Sequence, residues 1–170
     1  MKKIFLFLLV MGWQHVSLAE ELVLEDTASD QAAIEPEHSW RTKASEILLN
    51  ALSLTGIKYQ YGGTQPETGF DCSGFVRYVF RESANIALPP TARAISQIGK
   101  TVKKDELQPG DLVFFNTLKS AFSHVGIYIG NNRFIHAPRA GGSVRVDDMQ
   151  ADYWTKRYNG AQRLEHDTSP

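Results

Sequence analysis

The sequence predicts an α+β fold, with N-terminal helices packed on a mostly antiparallel central sheet. Three observations predict it. Apolar residues recur at helical spacing in two stretches of the first half, Ala44 to Leu52 and Phe75 to Phe80. Past Pro109 the pattern changes to short apolar or alternating runs separated by turn residues. These runs follow one another with no long helical stretch between them, which favours hairpins over parallel crossovers. A chain of 170 residues that includes a removable segment holds one domain with a real core and has no room for a second.

Residues 1–19 read as a secretory signal: Lys2 and Lys3 precede the apolar run Ile4 to Trp13, and Ser17-Leu18-Ala19 is a small-residue cleavage site. The run is too short to span a bilayer. No cysteine stands beside the cleavage site to take a lipid, so the expectation is a soluble periplasmic protein with no membrane span in its mature form. Residues 20–38 read as an acidic flexible leader, with seven acids and no Lys or Arg between Glu20 and Glu37. The domain itself is expected over 39–165, with a flexible tail at 166–170. Past the leader the net charge is about +4, an ordinary solvated surface. Nucleic acid is not an expected partner, because basic and aromatic residues are not interleaved. A monomer is expected.

A helix is predicted from Ser39 as N-cap, with Ala44, Ile47, Leu48, Ala51 and Leu52 on its apolar stripe and Gly56 as its stop. Tyr59 to Gly63 is extended, and Thr64 to Gly69 is a polar loop. Asp71 then caps a second helix running from Cys72 to about Ala84, buried through Phe75, Val76, Val79 and Phe80. Thr91 caps a short helix through Ile98. Pro109-Gly110 has the residue order of a type II turn, and Leu112 to Phe115 has four consecutive large apolar residues, as a strand covered on both faces does. Further strands are predicted at Val144 to Val146 and Asn159 to Leu164, with a helical turn over Tyr153 to Tyr158.

Between them lies a hairpin whose register decides the chemistry. His124 to Ile129 alternates, with Val125, Ile127 and Ile129 on one face and His124, Gly126 and Tyr128 on the other; after Gly130-Asn131-Asn132 the chain returns as Arg133 to Ala137. A regular two-residue turn puts His136 on the face opposite His124. A three-residue loop pairing Ile129 with Arg133, or a bulge, brings the two histidines onto one face as diagonal neighbours. That loop or a bulge is the prediction.

Cys72 is the only cysteine of a chain that reads as exported, where an unpaired thiol is either a liability or a tool. As a small core hydrophobe it would need no function. At a helix N-terminus, however, orphan amides and the macrodipole favour the thiolate, so the pKa is expected below the free value of roughly 8.5. Cys72 as nucleophile, His124 as base and His136 as the group that orients it supply what acyl transfer needs, with the Cys72 amide near the oxyanion. His124 and His136 also have the plainer reading of partners for buried polar groups. Neither H-E-x-x-H nor paired cysteines occur, so no metal and no organic cofactor are expected.

Asp71-Cys72-Ser73-Gly74-Phe75, His124-Val125-Gly126-Ile127-Tyr128 and Phe134-Ile135-His136-Ala137 resemble the three motifs of the NlpC/P60 cysteine peptidases, in order and spacing. The pattern is most similar to the MepS-type murein endopeptidases, as seen in Tyr59 to Gly63, Pro109 to Phe115 and Tyr153 to Asn159. The resemblance implies a papain-like NlpC/P60 fold and hydrolysis of peptidoglycan peptides, with Cys72, His124 and His136 as the triad. It further implies that Tyr59 bonds near the nucleophile and that Asp71 and Ser73 contact the substrate. The D-alanyl to meso-diaminopimelate cross-link is the expected bond. The γ-D-glutamyl to meso-diaminopimelate bond, a Cys/His amidase or acyltransferase, and an inactive wall-binding module stand as alternatives. Two departures are visible: the lipid-accepting cysteine is missing, and Pro90 stands where relatives often have arginine, so that either nearby Arg93 takes its role or the groove accepts a different carboxylate.

Overall fold

The computed structural model describes residues 27–117, 120–138 and 141–164, with side chains from Trp40 onward. The predicted signal, residues 20–26 of the leader and the tail lie outside the described residues. Contacts divide the chain at Glu35/Pro36, and the second unit, Pro36–Pro170, carries the sheet, α2 and the site described below.

The first helix, α1, spans Thr27–Ser53 and so begins well before the expected cap at Ser39. Ala, Gln and Glu are good helix formers even in a stretch that cannot build a core of its own, and from Thr27 they extend a helix that packs further on. Ala44, Ile47 and Ala51 are buried as predicted, whereas Leu52 lies outside the stripe and is exposed. Two short strands, β1 (Thr64–Gln65) and β2 (Gly69–Phe70), form a small antiparallel hairpin in what the sequence marked as a polar loop.

The second helix, α2, spans Cys72–Ala84 as expected. Asp71 caps it: Gly74 N–H donates to Asp71 Oδ1 at 2.7 Å. Asn85, in the left-handed conformation, closes the other end with its N–H on Arg81 O. A side chain at position 74 would collide with the Gly63 carbonyl oxygen, and Asp71 N–H bonds that same carbonyl at 3.0 Å. Gly74 is therefore what lets the Gly63 loop seat on the first turn of α2, beside Cys72. The short helix α3 (Ala92–Ile95), capped by the Thr91 hydroxyl, stops before the predicted Ile98. It leads to β3 (Lys100–Val102), a strand the sequence did not announce, and a single 3-10 turn at Lys104–Glu106.

The remaining strands are β4 (Leu112–Phe115), β5 (His124–Gly130), β6 (Arg133–His136), β7 (Arg145–Asp148) and β8 (Tyr158–Arg163), with α4 (Asp152–Thr155) before the last. They build one six-stranded sheet of order β3-β8-β4-β5-β6-β7, antiparallel throughout. The predicted α+β architecture is therefore the observed one. The four apolar residues of β4 divide between two cores. Leu112 and Phe114 join α1 and α2 residues on one face of the sheet; Val113 and Phe115 join Tyr128, Phe134, Met149 and Trp154 on the other. An ion pair ties the start of β4 to the end of β8, with Arg163 donating to both oxygens of the buried Asp111 carboxylate at 2.8 Å.

The hairpin keeps its predicted parity by the bulge and not by the three-residue loop. Asn131 and Asn132 form a two-residue turn at φ of 52° and 56°, pairing Gly130 with Arg133. The register then shifts between Tyr128 and Gly130, so that Tyr128 faces Phe134 and Ile127 faces Ile135. Tyr128 Oη accepts the Asn132 N–H at 3.2 Å and holds the turn closed.

Candidate active site

Cys72 is the first residue of α2, and the main-chain N–H groups of Val125, Ser73 and Cys72 itself bear on its sulfur. Val125 directly follows His124, so the start of α2 meets the start of β5 at the thiol. The thiol pKa is pushed up to about 11, chiefly because burial strips solvent from a thiolate and secondarily by the Asp71 charge. This corrects the expectation of a lowered value. The helix end and the three amides act in the predicted direction but do not offset desolvation.

His124 and His136 are brought together by the bulge: His124 Nε2 lies 2.7 Å from His136 Nδ1, with both rings buried. Gly126, between His124 and the turn, makes room for this. A Cβ there would stand 2.7 Å from the Phe134 ring, 2.9 Å from Ile135 O and 3.1 Å from the His136 Cβ. Burial lowers the pKa of both histidines, that of His124 to about 3. Both are neutral at pH 7.

The site also holds residues that the sequence did not single out as functional. Asp147 on β7 lies 3.0 Å from His136 Nε2 through its Oδ2. Trp154 Nε1–H donates to the same oxygen at 3.1 Å. Arg145 donates through Nε to Oδ1 at 2.9 Å and through a terminal nitrogen to Oδ2 at 3.0 Å. The Trp154 ring stacks on His124, with centroids 5.6 Å apart at 24°, and presents itself edge-on to His136 at 5.0 Å. His124, His136 and Asp147 thus run diagonally across β5, β6 and β7. The signal was present in the alternation of Val144 and Val146 with Arg145 and Asp147, which puts the polar pair on one face of a strand.

Beside His124 opens a cavity of about 460 Å³ whose walls include Thr117, Pro138, Arg145, Tyr153 and Trp154. The other sequence-predicted residues sit as follows. Asp71 Oδ1 takes the Gly74 N–H and the Ser73 hydroxyl, and its Oδ2 takes the Gly62 N–H. Both Asp71 and Ser73 therefore work on the loop that flanks Cys72. Tyr59 is half-buried against the first core, with its N–H on Gly142 O. Arg93 is exposed on α3 and is not among the residues lining the cavity beside His124. Among the described residues, no three His, Cys, Asp or Glu side chains are disposed to hold a metal ion.

Residues 56–163 match the NlpC/P60 family profile, more than half of the chain. The chain belongs to the NlpC/P60 family. This NlpC/P60 chain is 44% identical over 120 residues to the murein DD-endopeptidase MepS/murein LD-carboxypeptidase of Escherichia coli K12, a match covering 71% of the chain and 62% of that relative. It is 39% identical over 126 residues to murein DD-endopeptidase MepH of the same organism, covering 72% and 46%. A γ-DL-glutamyl hydrolase of Bacillus subtilis is 39% identical over 125 residues, covering 73% and 30%. The chain spans less than two thirds of the length of each of these relatives. Among solved structures, an NlpC/P60 protein of Bacillus cereus superposes with a TM-score of 0.66 at 34% identity, over 71% of this chain and 39% of that one. The peptidoglycan hydrolase RipB of Mycobacterium tuberculosis gives 0.66 at 26% identity, over 76% and 68%.

Proposed function

We propose that this protein is an exported cysteine endopeptidase that hydrolyses peptidoglycan peptides, with the D-alanyl to meso-diaminopimelate cross-link as its bond. The observation that carries the reading is the packing of the start of α2 on the start of β5, which sets the Val125 N–H, the next residue after His124, on the Cys72 thiol, while His124 itself is hydrogen-bonded to His136. Membership of the family and the names of the murein endopeptidase relatives support the substrate class.

With a thiol pKa near 11 and an imidazole pKa near 3 the proton stays on sulfur at rest, so attack and proton transfer proceed together. Cys72 Sγ adds to the scissile carbonyl carbon as His124 takes the thiol proton, and the Cys72 amide donates to the oxygen that becomes negative. Collapse breaks the C–N bond, with the proton on His124 passing to the departing amine and leaving a thioester on Cys72. Water, deprotonated by His124, then releases the new carboxylic acid and restores the thiol. His136 orients His124 throughout. On this reading Tyr59, Asp71 and Ser73 shape the wall on the Cys72 side, and Arg93 offers the charge for a substrate carboxylate that Pro90 cannot.

Digestion of defined muropeptides with the wild type and with Cys72→Ala, read by product mass, tests the proposal. Monomers released from D-alanyl to meso-diaminopimelate dimers by the wild type alone are expected. Truncated stems from cleavage after γ-D-glutamate would move the bond, and whole stems freed from sugar would make the enzyme an amidase. Full turnover by Cys72→Ala would refute a thiol mechanism.

A further inference from the structure

The two-histidine relay does not end on a histidine. His136 Nε2 faces Asp147 Oδ2 at 3.0 Å, and a carboxylate can only accept. The proton of His136 must therefore sit on Nε2. A neutral His136 then has a lone pair on Nδ1, the atom 2.7 Å from His124 Nε2, so that second nitrogen must carry a proton. A neutral His124 is left with one unprotonated nitrogen, Nδ1, and this is its only ring nitrogen not engaged with His136. Were His136 protonated on Nδ1 instead, it would donate to His124 Nε2, drive the His124 proton onto Nδ1 and leave no base for the thiol.

We propose that Asp147 is a positioning residue that sets the tautomer of both histidines and thereby keeps His124 Nδ1 free to take the Cys72 proton. The carboxylate is itself fixed. Trp154 Nε1–H and both donating nitrogens of Arg145 converge on it, so it can neither rotate away nor present a different atom. The His136 and Arg145 hydrogen bonds hold its carboxyl well below the usual carboxylate range, and burial keeps the histidines neutral. Trp154 braces all three, stacked on His124, edge-on to His136 and bonded to Asp147. The charged groups bearing on the two histidines are Arg145 and Asp147 on β7, and Asp71 bears on Cys72 at the start of α2.

The inference deepens the peptidase reading and rests on it for its effect on rate, but the tautomers themselves can be read without any substrate. Histidine-labelled protein examined by long-range proton–nitrogen correlation at neutral pH is expected to show both His124 and His136 as Nε2–H forms. Finding either ring as Nδ1–H in the wild type overturns the proposal, and this measurement needs no variant to fold. In Asp147→Ala, His124 is expected to acquire an Nδ1–H population, with kcat falling about 10–100-fold and KM changing by less than about twofold. Arg145→Gln, which keeps the carboxylate, is expected to retain both Nε2–H forms. Unchanged tautomers in Asp147→Ala, or a kcat within about twofold of wild type, would refute the assignment. Wild-type protein with both Nε2–H forms but no action on muropeptides would uphold the relay and sink the peptidase reading, so the two failures are distinguishable.

Discussion

Acid should destabilise this fold well before the Asp147 carboxylate is protonated. His124 is buried, and its proton affinity is lowered from a pKa of 6.5 to about 3. Between those values the unfolded chain binds a proton that the folded chain refuses, so lowering the pH favours unfolding. Between pH 7 and pH 5 this one ring contributes a loss of about 2 kcal/mol, and His136 adds to it in the same direction. Asp147, whose folded pKa is depressed, contributes its own loss only below its ordinary value of 3.8, outside that window. Urea unfolding followed by tryptophan fluorescence at the two pH values is the assay, and the midpoint is expected to fall by about 1 M at pH 5. His124→Leu should keep only the part of the slope that His136 provides. Equal stability at pH 7 and pH 5, or greater stability at pH 5, would refute a buried neutral pair.

Other perturbations have equally definite outcomes. Because the Cys72 pKa is raised to about 11, alkylation by iodoacetamide should quicken about tenfold for each pH unit from 7 to 9, as read by intact mass; a plateau by pH 8 would contradict this. Gly126→Ala forces a Cβ against the Phe134 ring and the Ile135 carbonyl, and should cost about 1–3 kcal/mol in denaturant titrations while displacing His136 and lowering kcat. Arg163→Met leaves the buried Asp111 carboxylate unpaired and should cost about 3–5 kcal/mol, most of which Asp111→Leu in the same chain should restore.

Much of this site could be read from the sequence, for reasons tied to particular residues. Asp71 announces α2 because an N-cap is a local device, and β4 announces itself because a strand with a core on each face has no polar position. The histidine pairing could be reduced to a choice of parity, since side chains alternate along a strand. Three features lay beyond local reading. The thiol pKa depends on how closely β5 covers the start of α2, and burial by a distant segment outweighs the helix end. Asp147 enters the relay only once β6 pairs with β7 and sets Arg145 opposite His136. The helical stretch from Thr27 shows that a lack of core-forming residues argues against packing and not against helix formation.

The bulge near Ile129 has a consequence for how this hairpin can vary. Its two strands carry their chemistry in phase only because one surplus residue is absorbed on the β5 side. A single deletion or insertion between Gly130 and Arg133 that left the bulge in place would turn His136 toward the first core and Ile135 toward the Asp147 face. The nucleophile, the base and their hydrogen-bonding groups would all still be encoded, yet the relay would be out of frame. Changes of two residues would preserve it, so loop length here is under a count of odd and even as strict as any constraint on the identity of the catalytic side chains.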